Sequence, residues 1–520
     1  MNQSNYIQAP ATLARLSWRG VIGLLAGLAL LTLGFWNLAG PGMWWDEGWT
    51  LSVARNWVEH GHYGRLMDGQ LWPPGLEASF TVTTPVALAF QLFGVGIWQG
   101  RLPGVVFLVA ALALLYFLAQ RLYDRKVAIG TLFVLLLMSM HPQLHPLIMA
   151  RQVLGETSMF CYLLAGYACF FAALKRPLVW LPLAMLWWGI TVITKAQVLP
   201  FWVVSLMLPL GVSLLRRQWR TAGLLGSALI GSWLVSQVIV WLWSLMINGH
   251  TLPVTPISGL YSITAFVLIP FNRLFALRMV LLVGLPTLFG LCYAAWRQLR
   301  GDDQPAVEGQ IETLRLALLG LSGSWLAWFV LLSVGVPRYV YPATFVGSIF
   351  VSALLNDLTD HFSLSSTLNR ATSILKGKLN RQMAGVWLAI ILLSLTVPIT
   401  LLTLNNYYVR YTDTSAIDVA NFLNSQTPPN ALIETYESEV HFLLERRYHY
   451  PPDQIHVELN RRSLLHQNVT IDYDPLVANP DYLVVGRFAL EDKLYQPVID
   501  SGAFRLLHSF GGYLLYERVR

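Results

Sequence analysis

Two adjacent carboxylates stand among three tryptophans in residues 41–49, PGMWWDEGW, directly after the first apolar run of the chain. Asp46 and Glu47 lie where the chain must leave a membrane, and ionised groups at such a boundary are costly unless function requires them. A carboxylate there could act as a general base that takes the proton of an attacking hydroxyl group. The alternative is that both are solvated loop residues flanked by an aromatic belt at the membrane surface. Residues 41–49 alone leave both interpretations open.

Composition assigns the chain to the polytopic membrane proteins. Of 520 residues, 55% are hydrophobic and 12% are charged, whereas about 25% of a soluble domain is charged. The net charge of +7 is not spread evenly, because residues 405–520 hold 10 Lys and Arg against 15 Asp and Glu. The positive excess therefore lies in loops beside the bilayer, which predicts membrane topology and argues against a nucleic-acid partner.

Eleven apolar runs approach the length of about 20 residues that spans a bilayer. They cover residues 21–38, 103–119, 127–140, 153–174, 178–193, 198–215, 222–246, 274–295, 314–334, 340–355 and 384–404. Residues 1–404 are thus predicted to form an all-α membrane domain with a first outer loop at residues 40–101. The run at 21–38 is too long for a signal-peptide core and is interpreted as a retained first helix. Residues 80–93, interrupted by Pro85, are predicted to form a helix along the membrane interface.

Residues 405–520 predict a small α+β domain of different composition. Strand-like segments occur at residues 431–436, 481–485, 504–510 and 513–519, and a helix is expected at 414–423. Gly511-Gly512 between the last two strands is typical of a hairpin turn. The domain could recognise an acceptor, or it could be a structural lid without a catalytic residue.

The distribution of Lys and Arg predicts which loops face the cytoplasm. One set of loops carries 17 of these residues and the opposite set carries 8. By the positive-inside rule the N-terminus is cytoplasmic, and an odd number of helices then places the C-terminal domain outside the cell membrane. The loop that contains Asp46 and Glu47 is predicted to be extracytoplasmic as well.

Several isolated polar residues that interrupt apolar sequence fall on this same outer face. They are His141, His145, Arg151, Glu156, Lys195 and Arg338. Each has an ordinary explanation, because a cation at a helix end usually extends to the interface and a lone histidine usually forms local hydrogen bonds. Taken together, carboxylates and lone cations on one face favour a site for an anionic, lipid-embedded substrate.

The order of these motifs resembles the GT-C superfamily of membrane glycosyltransferases. The matching segments are Trp45-Asp46-Glu47-Gly48-Trp49, Trp72-Pro73-Pro74-Gly75-Leu76, Arg101-Leu102-Pro103-Gly104, Arg151 to Glu156, Thr194-Lys195 and Arg338-Tyr339-Val340-Tyr341-Pro342. More narrowly, the chain is similar to the bacterial enzymes related to protein O-mannosyltransferases and lipid A aminoarabinose transferases. It departs from them at Trp72, where the family often has a histidine or another polar residue.

The resemblance implies transfer of a sugar, with inversion, from a polyprenyl-phosphate donor to a lipid, glycan or protein hydroxyl on the outer side of the membrane. Asp46 would be the base, and Glu47 would orient the acceptor or share the proton. The cations expected to bind the donor phosphate are Arg151, Lys195 and Arg338. Further candidates for the site are His145, Glu156 and Tyr341.

No cofactor is expected to be required. Whether a divalent metal binds is left open by the sequence. Carboxylates with His141 and His145 could supply ligands, although no recognised ligand spacing occurs. The rival function is a lipid or solute transporter or flippase. Transporters are often built from repeats around polar residues at the membrane midplane, and neither feature is found in the sequence.

Overall fold

The computed structural model describes residues 32–253, 265–300, 309–373 and 381–520. The chain divides into two compact units, Met1–Asn37 and Leu38–Arg520. In the first unit the described residues, 32–37, form a short helical turn. Most of the first membrane helix predicted at residues 21–38 lies outside the described residues.

Nine helices in the described ranges are long and apolar enough to cross a membrane. They are Ile97–Leu122, Glu156–Ala173, Pro177–Thr194, Ala196–Leu215, Trp219–Ile247, Pro270–Arg300, Gly309–Leu332, Pro337–Leu358 and Met383–Val409. Each corresponds to one of the predicted apolar runs, so the multi-pass membrane class is confirmed. The run at residues 127–140 forms the helix Arg125–Leu137, whose 13 residues are fewer than a span requires. The predicted total of eleven is not confirmed.

The helix Pro337–Leu358 lies at the centre of the bundle. Its apolar window is 89% buried, whereas that of Trp219–Ile247 is 22% buried. The central helix packs against Arg125–Leu137 and Leu285–Arg300. Arg338 stands in the 3-10 turn Pro337–Val340 that begins it. This arginine therefore lies at one end of the bundle's core.

The first outer loop is mostly ordered secondary structure. It holds helix α1 (Trp45–His60), a hairpin of strands β1 (Arg65–Met67) and β2 (Gln70–Trp72), and helix α2 (Phe80–Phe93). Helix α1 begins after Trp44, whose backbone N–H donates to the Glu47 carboxylate at 3.1 Å. A carboxylate at this position satisfies one of the unpaired amides of a helix N-terminus. The tryptophan-rich motif of residues 45–49 is thus the first turn of a helix.

The C-terminal part is the predicted α+β structure, built on a five-stranded sheet. Its strands are β3 (Leu432–Thr435), β4 (Arg447–His449), β5 (Tyr482–Val485), β6 (Phe504–Phe510) and β7 (Tyr513–Arg518), in the order β4-β3-β5-β7-β6. Strands β3, β4 and β5 are parallel, and β7 pairs antiparallel with β5 and β6. The helices are Ser415–Gln426, Ser438–Leu443, Asp453–Ser463, Arg487–Glu491 and Gln496–Asp500. The three-residue strand β4 was not predicted.

The hairpin predicted at Gly511-Gly512 joins β6 to β7, and Gly511 adopts a φ of 55° that favours glycine. The domain boundary predicted between residues 404 and 405 stays a prediction. The helix Arg381–Leu404 ends at this point, yet residues on both sides belong to the same compact unit.

Helix α1 packs directly into the core of the C-terminal domain. Trp45 and Trp49 are 4% and 2% exposed and belong to one hydrophobic cluster with residues of the five-stranded sheet. The Trp45 indole N–H donates to the Tyr436 carbonyl at 2.7 Å, and the Ser438 hydroxyl donates to the Trp45 carbonyl. These two tryptophans are therefore core residues shared by the outer loop and the C-terminal domain, not an aromatic belt.

Gly48 allows the closest approach between these two parts. A Cβ atom at this position would overlap the backbone of Ser438 and Glu439. We expect Gly48→Ala to destabilise the protein by about 1 to 3 kcal/mol, the usual cost of overpacking, because a backbone neighbour cannot rotate away. The measurement is the melting temperature of the detergent-solubilised protein. Gly211→Ala is the control, since its Cβ would meet nothing within 4 Å. Equal melting temperatures for the two variants would show that the contact is not tight.

Candidate active site

Asp46 and Arg338 form an ion pair at the N-terminal end of the central helix. The Arg338 Nη1 atom donates to Asp46 Oδ2 at 2.7 Å. Asp46 lies in the first turn of α1, and Arg338 precedes the helix Tyr341–Leu358, so the pair joins residues 292 positions apart. Their side chains are 32% and 18% exposed. The carboxylate and one cation that the sequence analysis selected are thus in direct contact and accessible.

The pair faces a cavity of about 340 Å³ between the helical bundle and the C-terminal domain. The bundle and outer loop contribute Trp44, Trp45, Asp46, Val336, Arg338 and Tyr339 to its wall, and the C-terminal domain contributes, among others, Tyr436, His456, Asn460, Phe488, Glu491 and Asp492. Ligand sites in proteins commonly measure about 300 to 1,000 Å³. The cavity therefore has the size and polarity of a small-molecule site.

The charges around Asp46 keep its carboxylate ionised. Burial acts to raise the pKa of Asp46, but the charge and hydrogen bond of Arg338, followed by the charges of His456 and Lys195, outweigh it. The net effect is a pKa below the ordinary value. Asp46 is accordingly an anion at neutral pH and has the form that accepts a proton.

A second ion pair lies close to the first. The Lys195 ammonium group donates to Glu156 Oε1, and Glu156 is 3% exposed. Lys195 stands in the break between two helices, whereas Glu156 begins a helix after Gly155. The charge of Lys195 acts on Asp46, and that of Glu156 acts on Arg338. Four predicted residues therefore form one cluster of alternating charge.

Tyr341 lies beside this cluster with an unsatisfied hydroxyl. Its side chain is fully buried and packs edge-on against Phe160 and Phe345 at 5.2 and 5.7 Å. Within the described ranges neither the Tyr341 hydroxyl nor Glu156 Oε2 has a hydrogen-bond partner. A buried polar atom left unpaired costs about 1 to 3 kcal/mol. The charge cluster thus has two buried oxygen atoms beside it that are able to bond a further group.

Glu47 occupies a different environment from its neighbour. Its side chain is fully buried and receives two hydrogen bonds from Arg101, at 2.7 and 2.9 Å. Arg101 also donates to the carbonyls of Leu38, Pro41 and Gly42 at 2.8 to 3.3 Å. Consecutive residues of a helix point roughly 100° apart, and Glu47 is not part of the cavity wall. Its geometry is that of a structural anchor, and the predicted role in acceptor orientation finds no support in it.

Arg151 and His145 also lie apart from the cavity. The Arg151 guanidinium is 3.5 Å from the centre of the Tyr408 ring and is 2% exposed. His145 is fully buried, its Nε2 atom is 2.9 Å from the Leu136 carbonyl, and burial lowers its pKa to about 4. Neither side chain lines the cavity wall. Within the part of the chain that is described, no three His, Cys, Asp or Glu side chains are grouped to hold a metal ion.

His456 and Asn460 line the cavity, and the sequence did not single them out. The His456 ring stacks on Trp45 with centroids 4.6 Å apart, and its Nδ1 atom lies 2.6 Å from the Tyr436 hydroxyl. Asn460 follows one turn later in the helix Asp453–Ser463 and is 2.8 Å from His456 Nε2. No local pattern distinguishes these residues from others on an amphipathic helix. Because they line the cavity, the C-terminal domain contributes directly to the site.

Comparisons with known proteins agree with this architecture. Residues 83–241 match the model of a family described as dolichyl-phosphate-mannose-protein mannosyltransferase. No curated protein matches the chain by sequence. The structure of ArnT from Cupriavidus metallidurans bound to undecaprenyl phosphate is similar, with a TM-score of 0.66, 14% identity, and coverage of 97% of this chain and 99% of ArnT.

The oligosaccharyltransferase AglB from Archaeoglobus fulgidus, solved with an inhibitory peptide and a dolichol-phosphate, is also similar. Its TM-score is 0.53 at 13% identity, with coverage of 97% of this chain and 75% of AglB. At these identities the likeness shows the fold alone, and this chain shares that fold with ArnT and AglB. The resemblance predicted from the sequence is thereby confirmed.

The two adjacent carboxylates are expected to respond differently to substitution. Glu47→Ala leaves Arg101 buried without its partner, so we expect a loss of about 3 to 5 kcal/mol of stability and poor recovery of folded protein. Asp46→Asn keeps the shape of a partly exposed side chain and should leave the melting temperature within a few degrees of the parent. Thermal denaturation in detergent measures both variants. A stable Glu47→Ala protein would contradict the anchor role.

Proposed function

We propose that this protein transfers a sugar from a polyprenyl-phosphate donor to a hydroxyl group of an acceptor. The observation that carries the proposal is the ionised Asp46 carboxylate, held 2.7 Å from Arg338 in a cavity at one end of a membrane helix bundle. The structural neighbours support a lipid-linked donor, because ArnT was solved with undecaprenyl phosphate and AglB with a dolichol-phosphate. The acceptor class is a lipid, glycan or protein.

The chemistry requires one base. The acceptor oxygen attacks the anomeric carbon, its proton passes to an Asp46 oxygen, and the bond between that carbon and the phosphate oxygen breaks. The electron pair stays on the lipid phosphate, and a direct displacement of this kind inverts the anomeric carbon. Asp46 has a lowered pKa and is a weak base. A weak base is sufficient, because the hydroxyl group becomes strongly acidic as its oxygen forms the bond to the anomeric carbon.

The same cluster supplies cations for the leaving phosphate. Arg338 and Lys195 can each bind a phosphate oxygen and neutralise the charge that develops as the bond breaks. Each is now paired with a carboxylate, Asp46 or Glu156, so a bound phosphate would compete for the same cations. Donor binding would thereby draw Arg338 from Asp46 and raise the basicity of the carboxylate. Arg151 is a weaker candidate for phosphate binding, since it packs on Tyr408.

The site is proposed to work on the extracytoplasmic side of the cell membrane. The outer loop, the cavity and the C-terminal domain lie at the same end of the bundle. Positively charged loops are expected at the opposite end, on the cytoplasmic side. Labelling of single cysteines introduced into the C-terminal domain, with a reagent that does not cross membranes, would measure this orientation.

Removal of the base should abolish transfer without removing the donor. We expect Asp46→Asn to lower the transfer rate by about 10²- to 10⁴-fold, the usual contribution of a general base, while affinity for a polyprenyl-phosphate sugar stays within a few-fold. Lys195→Ala should instead weaken donor binding. Mass analysis of products and direct binding to the purified protein give the two values. An Asp46→Asn protein with most of its activity would show that the base lies elsewhere.

The pH dependence of the transfer rate should change when the ion pair between Asp46 and Arg338 is broken. Arg338→Gln removes the largest influence that lowers the pKa of Asp46, so burial should then raise that pKa. Transfer requires ionised Asp46, and the fall of its rate on acidification should therefore begin at a higher pH in the variant. The residual rate is measured from pH 4 to 8. Arg505→Gln, in a side chain that is 74% exposed, is the control and should leave the profile unchanged. An unshifted profile in Arg338→Gln would exclude Asp46 as the titrating group.

A further inference from the structure

A second cavity, of about 630 Å³, lies between the β1–β2 hairpin of the outer loop and the C-terminal domain. It is larger than the cavity that contains Asp46. The outer loop contributes Trp72 to its wall, and the C-terminal domain contributes Tyr450, Tyr473, Asp472 and Asp474, among others. We call this cavity the hairpin cleft. The proposed transfer chemistry assigns no role to it.

A buried ion pair between Arg65 and Asp453 joins the two walls of the hairpin cleft. The Arg65 guanidinium makes two parallel hydrogen bonds to the Asp453 carboxylate, at 2.7 and 2.8 Å, and its Nε atom donates to the Pro73 carbonyl at 3.0 Å. Arg65 is 2% exposed and its guanidinium lies over the rings of Trp49 and Tyr450. A bidentate arginine pair fixes both position and orientation. The cleft is thus preformed, which lowers the entropic cost of binding a ligand.

The chemistry of the wall is that of a carbohydrate site. Trp72 is 41% exposed, so one aromatic ring is available to the cleft, and the negative face of such a ring attracts the C–H bonds of a sugar. Asp472 and Asp474 are exposed and can accept hydrogen bonds from sugar hydroxyls. The cation Arg65 is already paired with Asp453. Exposed carboxylates without a free cation disfavour a phosphate or another anion.

A buried polar atom in the same wall also lacks a partner. Tyr450 is 1% exposed, and its hydroxyl has no hydrogen-bond partner among the residues that are described. Its ring packs edge-on against Trp49 at 4.8 Å. Buried hydroxyls are usually paired.

The hairpin cleft and the active-site cavity share two helices. In the helix Asp453–Ser463, Asp453 lies at the cleft and His456 at the cavity, which places them about 4.5 Å apart along the axis at the usual 1.5 Å per residue. In helix α1, Trp45 stacks on His456, and Trp49 packs on Tyr450 one turn later. The two cavities are therefore close neighbours along the same two helices.

We propose that the hairpin cleft binds the saccharide part of the acceptor, which makes the acceptor of this enzyme a glycan or glycolipid. The inference rests on the proposed transferase function. One sugar ring stacks on Trp72, and hydroxyls of the same or the next ring donate to Asp472 and Asp474. The next sugar toward Asp46 presents the hydroxyl that is glycosylated.

Binding of free oligosaccharides to the full-length protein in lipid nanodiscs tests the cleft separately from catalysis. The probes are defined water-soluble oligosaccharides of two to six units, neutral and amino-substituted, with peptides of matched length for comparison. Saturation-transfer NMR reports binding. We expect at least one oligosaccharide to bind the parent, and its affinity to fall about tenfold or more in Trp72→Ala, as for loss of an aromatic anchor. Asp472→Asn should weaken the same probe.

Two control variants make the result specific. Leu71→Ala changes the neighbouring residue of β2, which points to the opposite face of the strand and is 49% exposed, so the affinity should not change. Asp46→Asn should bind the oligosaccharide as tightly as the parent protein even when transfer is lost. Binding therefore tests the cleft proposal and transfer tests the transferase proposal, each independently of the other. If no oligosaccharide binds, if Trp72→Ala and Leu71→Ala bind equally, or if only peptides bind, the proposal is overturned.

Discussion

The buried ion pair between Glu47 and Arg101 is the interaction on which the arrangement of the site depends. Removing two charges from water is costly, and the cost is offset here because both carboxylate oxygens and most guanidinium donors are hydrogen-bonded. The pair ties the first turn of α1 to the start of the helix Ile97–Leu122. Once Glu47 is held inside, the helical turn directs Asp46 about 100° away from it, toward Arg338 and the cavity. An anchor and a candidate base are thus neighbours in sequence.

The C-terminal domain depends on the same segment for a different reason. Its hydrophobic core contains Trp45 and Trp49 of the outer loop, and Gly48 between them brings two backbones into contact. A domain whose core includes residues nearly 400 positions away cannot pack independently of the loop. This dependence places His456 and Asn460 against the membrane-proximal charges and forms a cavity that neither part would have alone.

Two carboxylates in and near the cavity, those of Asp46 and Glu156, each face a cation. Asp46 pairs with Arg338 and Glu156 with Lys195, and each pair lies within the electrostatic influence of the other. The pairs explain how cations remain tolerable at the end of an apolar bundle.

Local patterns in the sequence were sufficient for the class of protein and for most of its elements. An apolar run of membrane-spanning length or an alternating strand is encoded by neighbouring residues, so nine spans, the sheet strands β3, β5, β6 and β7 and the Gly511-Gly512 turn were predicted correctly. The sequence predicted that Asp46 and Arg338 converge only because both were expected on the same side of the membrane, which is a weaker argument than a local pattern. The structure places the two side chains in contact.

The tertiary structure alone decided which of the selected polar residues meet. Asp46 and Glu47 are adjacent but point in different directions from the helix, and Glu47 is bound by the distant residue Arg101. Arg151 is buried against Tyr408 and therefore lies apart from the charge cluster. The same holds for His456 and for strand β4, whose three residues are too few to form a pattern. These features depend on contacts between residues tens to hundreds of positions apart, such as Trp45 with Tyr436. Spacing along the chain carries no information about such contacts, because the fold brings the partners together.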